Sequence, residues 1–92
     1  MDNTSILETA IDTYGAEMQK MVAIEEMAEL TKELVKSIRY SDYNSAEIAE
    51  EIADVEIMLE QLKMIYQNSA DVEAEKQRKI ERLAERLMMG GM

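Results

Sequence analysis

No proline occurs anywhere in the 92 residues, and two of the three glycines sit at positions 90 and 91. A backbone that keeps every donor and has one internal glycine can run in long helices and has few places to stop. The first helix is expected to follow the Asp2-Asn3-Thr4-Ser5 cap region and run to about Tyr14, where Gly15 stops or kinks it. A second runs from about Ala16 to Tyr40. Ser41-Asp42-Tyr43-Asn44 forms a loop, and Asn44 with Glu47 resembles a capping box that opens a third helix, ending near Gln67. Asn68, Ser69 and Asp71 mark the next turn, and a fourth helix extends to about Met88. The fold class predicted is all-α, an antiparallel four-helix bundle in one domain.

Apolar spacing indicates how those helices pack. On the third, Ile48, Ile52, Val55, Leu59, Leu62 and Tyr66 recur in steps of four and three, the stripe of a core-facing helix. On the second, Ile24, Met27, Leu30, Thr31, Leu34, Val35 and Ile38 fill a broader arc, wide enough for a neighbour within the bundle and another subunit. A chain this short buries a limited share of its surface, so a homodimer or homotetramer is expected, with the nine methionines filling gaps and the interface.

Charge narrows the partners. Twenty acids against ten bases give a net charge of −10, which repels the backbone of a nucleic-acid polymer. A small anion remains an acceptable ligand where clustered carboxylates hold a cation that reverses the local field. With no Cys and no His, disulfides, thiolate sites, imidazole–zinc chemistry and His-based triads are excluded. Met1 to Leu7 lacks a basic residue and a long apolar run, and no segment has the length of a membrane span, so a cytoplasmic, membrane-free protein is expected.

Two acid pairs stand out, Glu26 with Glu29 and Glu51 with Asp54, each at i, i+3. That spacing puts both carboxylates of a pair on one helix face, and two facing helices then offer four hard oxygen donors suited to Mg²⁺ or Mn²⁺. In a chain this acidic, roughly four such pairs arise by chance, so spacing alone does not single them out. Position does more: Glu51 projects between Met58 and Leu62 inside the apolar arc, Asp54 at its edge beside Ile65, and Glu26 between Val22 and Leu30, where an uncompensated charge is costly. Glu50, Glu56 and Glu60 project to solvent. Glu25 with Glu29, or Glu50 with Asp54, are also co-facial at i, i+4, and a network of ion pairs is an alternative use of the same acids.

The segment Glu25-Glu26-Met27-Ala28-Glu29-Leu30, followed by Glu51-Ile52-Ala53-Asp54-Val55, resembles the E-x-x-E…E-x-x-D signature of the MazG-like all-α nucleoside triphosphate pyrophosphohydrolases. The resemblance covers the second and third helices, and the first and fourth only in layout. It implies one MazG-like domain over residues 1–92, with Glu26, Glu29, Glu51 and Asp54 as catalytic Mg²⁺ ligands. The activity it implies is hydrolysis of the α–β phosphoanhydride of a nucleoside triphosphate, releasing a monophosphate and pyrophosphate. Met58 stands where relatives carry an aromatic or polar residue one turn after the aspartate, which leaves base preference open. The absence of His argues against the phosphoribosyl-ATP branch.

Substrate contacts are expected from Lys76, which shares the stripe of Val72, Ile80, Leu83 and Leu87, with Lys79 beside it, and from Tyr14 and Gln19 near the start of the bundle. The bland alternatives are a snorkelling lysine and a structural tyrosine. Lys32, Lys36 and Arg39 read as solvent-side partners of Glu29 and Glu33. The competing function is a non-catalytic helical dimerisation or adaptor protein, or a relative that binds nucleotide without turning it over.

Overall fold

A computed structural model describes residues 1–40 and 45–90, arranged as four helices, α1 (Asn3–Tyr14), α2 (Ala16–Arg39), α3 (Ser45–Tyr66) and α4 (Ser69–Met88), with no strand among the described residues. The expected loop 41–44 and the Asn44 cap lie outside the described residues.

Local chemistry accounts for the boundaries. The Asp2 carboxylate accepts from the Ser5 backbone N–H at 2.8 Å, satisfying one free donor at the start of α1. Gly15, at φ 93°, donates to Ile11 O and accepts from Gln19 N, closing one helix and opening the next in a single residue that needs to lack a Cβ. Lys36 and Arg39 lie in the last turn of α2, where a cation complements the helix dipole. Between α3 and α4 the helix is interrupted at Gln67, a non-glycine residue at φ 53°.

Packing is concentrated between α2 and α3, with α1 touching both and α4 touching α3 alone. The buried residues among those described are Ala23 and Met58, with Gln19 and Gln61 beside them. Gln19 Nε2 donates to Gln61 Oε1 at 2.8 Å, and Gln61 Nε2 donates to Met58 Sδ at 3.8 Å. One turn away the Lys20 ammonium lies 4.7 Å from the Tyr66 ring centre.

The apolar stripe of α3 departs from expectation. Ile48, Val55 and Leu62 are half-buried, but Ile52, Leu59 and Tyr66 are exposed, and Met58 and Gln61 take the buried positions. Contact with α2 rotates α3 so that the arc bearing Glu51, Met58 and Gln61 faces inward and the most apolar stripe is left partly uncovered. The radius of gyration is 16.5 Å, against about 12 Å for a compact domain of this length. Among the described residues no helix is long and apolar enough to cross a membrane.

Candidate metal centre

The inner side of α2 repeats in steps of four and three, Gln19, Ala23, Glu26, Leu30, Glu33 and Ser37, all buried or half-buried. Opposite it on α3 lie Gln61, Met58, Asp54 and Glu51. Gln19 meets Gln61, and seven residues further along α2 and seven back along α3, Glu26 meets Asp54. Two helical turns on each side thus carry the register from the glutamine pair to the acids.

One carboxylate oxygen from each of Glu26, Glu51 and Asp54 lies within 4.8 Å of the other two. Glu26 and Glu51 are half-buried and Asp54 is exposed, so the cluster opens to solvent on the aspartate side. Burial pushes the Glu26 carboxyl above its ordinary value, helped by the charges of Asp54 and Glu29 and by a hydrogen bond with Asp54 that favours the protonated acid. Glu51 is raised for the same leading reason, burial, and then by Asp54, Glu26, Glu29 and Glu33. Glu51 Oε2 is fully shielded from water and has no hydrogen-bond partner. A buried carboxylate oxygen without a donor is costly, and a hard dication supplies the missing partner, so this donor set fits Mg²⁺ or Mn²⁺.

Glu25 and Glu50, the i, i+4 alternatives, are exposed and outside this group. Glu29 is exposed and also outside the close group, yet near enough for its charge to act on both raised acids. Glu33 was expected on the solvent side, but its side chain is 16% exposed and acts on Glu51 while paired with Lys36 at 3.4 Å. Its position seven residues after Glu26 carried that signal, hidden because Lys36 offered a simpler partner.

The expected substrate residues are dispersed. Gln19 is 6% exposed and engaged with Gln61; Tyr14 is exposed at the end of α1. Lys76 and Lys79 lie exposed on α4, which makes no contact with α2, and Lys76 pairs with Glu73 at 3.6 Å. Lys76 also lines a groove of about 1240 Å³ between α1, α3 and α4, whose walls include none of the four acids. Comparison with protein-family models, with curated proteins and with solved structures finds no match to this chain.

Proposed function

We propose that the protein is a Mg²⁺-dependent nucleoside triphosphate pyrophosphohydrolase of the MazG-like kind, an antiparallel helical bundle acting as an oligomer. The observation that supports this most is the convergence of Glu26, Glu51 and Asp54 from two helices around the unpartnered, buried Glu51 Oε2.

In this reading Glu26, Glu51 and Asp54 hold the cation and Glu29 adds charge at the rim. When bound, Mg²⁺ neutralises triphosphate charge and makes a water molecule more acidic. The exposed side of the cluster, at Asp54, admits the triphosphate, while the buried side keeps Glu51 fixed. Glu29, at the rim and outside the close group, is the neighbouring carboxylate left free of the cation to accept the proton released as water attacks phosphorus. Lys76, the phosphate contact expected from the sequence, lies on α4 in a groove whose walls include none of the four acids. Its exposed pair with Glu73 contributes little to stability, so a loss of turnover in Lys76→Ala with unchanged Mg²⁺ binding reports a phosphate contact.

The test is a screen of nucleoside triphosphates for pyrophosphate release with and without Mg²⁺. Release that requires Mg²⁺ and disappears in Glu51→Gln supports the reading. No release from any nucleoside triphosphate, with Mg²⁺ still raising the melting temperature, favours a nucleotide-binding relative without turnover; no effect of Mg²⁺ favours the adaptor.

A further inference from the structure

The outer side of α2 is more apolar than the side it packs with. Met21, Ile24, Ala28, Thr31, Val35 and Ile38 recur in steps of three and four, the spacing of a coiled-coil seam, and all six are exposed. Ile24 is 59% and Ile38 86% exposed. The seam runs about 26 Å along the helix, and it lies away from the stripe that carries Glu26 and Glu33. A helix that places two glutamates inward and an isoleucine-bearing seam outward has an apolar face that the described residues of its own chain do not cover.

Surface area points the same way. The chain exposes 7236 Å², whereas a compact monomer of its mass exposes about 5400 Å². The excess, roughly 1800 Å², is more than the roughly 800 Å² each partner contributes to an interface of standard size.

We propose that a second copy of this chain covers the seam, its α2 running in the opposite direction. The order of residues is what selects this occupant. Reversing one copy layers Ala28 on Thr31, Ile24 on Val35 and Met21 on Ile38, each pair formed twice about a two-fold axis, with the smallest residues at the centre where the helices approach most closely. Along one edge Glu25 and Lys32 are seven residues apart, so reversal sets Glu25 beside Lys32 of the second copy. Along the other edge Met27 meets Leu34 of the second copy, and both are exposed in the single chain. A parallel pair would lay Lys32 against Met27 and Arg39 against Leu34. The interface gives a geometry to the oligomer of the proposed function and leaves the carboxylate stripe free, so loss of the dimer and loss of Mg²⁺ binding are separate outcomes.

Sedimentation of the full chain at tens of micromolar is expected to give a dimer, and Ile24→Lys with Val35→Lys a monomer of unchanged helicity. Glu25→Lys weakens association about tenfold by turning two attractive contacts repulsive, and adding Lys32→Glu restores it, a result that misfolding does not produce. Because the chain has no Cys, Met21→Cys chains mixed with Ile38→Cys chains should oxidise to the mixed disulfide. A monomeric parent, a dimer indifferent to Ile24→Lys with Val35→Lys, failure of the charge swap to restore association, or disulfides between two copies of position 21 would each overturn the proposal.

Discussion

Gln19 and Gln61, 6% and 4% exposed, share a 2.8 Å hydrogen bond that stands seven residues from Glu26 on one helix and seven from Asp54 on the other. A buried amide pair satisfies itself at one alignment of the two helices and is left unpaired at its neighbours. The pair therefore sets the register that brings the acids together. Gln61→Leu, which leaves the Gln19 amide without its acceptor, is expected to cost about 1–3 kcal/mol in urea unfolding. The double change Gln19→Leu with Gln61→Leu should recover most of that stability while Mg²⁺ binding by calorimetry stays weaker than in the parent, because apolar contacts tolerate a slipped register.

At the candidate metal centre, the proposed function predicts that Glu51→Gln or Asp54→Asn abolishes Mg²⁺-dependent pyrophosphate release, while Glu50→Gln and Glu60→Gln leave it unchanged. The amide keeps the size and removes the charge that holds a hard dication. In metal-free protein Glu51→Gln should raise the melting temperature, since burial and four neighbouring acids oppose the charged form. Equal turnover in all four variants would reject the site.

The raised acids fix the sign of a pH dependence. The folded state of metal-free protein binds protons at Glu26 and Glu51 more tightly than the unfolded chain does, so their contribution is most favourable at or below the ordinary glutamate range near 4.5. That contribution is lost as pH rises through the raised folded values. Metal-free melting curves should show this loss and Mg²⁺ should offset it at neutral pH; a cluster without influence gives the same curve in Glu26→Gln with Glu51→Gln.

Gln67 adopts φ 53° at the α3–α4 junction, a region that disfavours a side chain. Gln67→Gly should relieve this and stabilise the fold by about 1 kcal/mol in chemical denaturation. An unchanged or lower midpoint would show that the side chain contributes more than the strain it brings.

The helices, their stops at Gly15 and near Gln67, and the co-facial acid pairs were legible in the sequence because they are local. Backbone breakers act where they stand, and a periodicity of 3.6 residues places neighbours on a face whatever surrounds the helix. The same periodicity makes i, i+3 and i, i+4 pairs equally co-facial, so spacing did not distinguish Glu26 from Glu25 or Glu51 from Glu50, and their place in the apolar arc and the family resemblance were what favoured Glu26 and Glu51. Tertiary contact separated them: the α2–α3 register turned Glu26, Glu51 and Asp54 toward one point, drew Glu33 inward, and left Ile52 and Leu59 exposed where the apolar stripe alone predicted a core. Which face of an amphipathic helix is buried depends on the partner it meets, and in α2 and α3 the buried face is not the most apolar one.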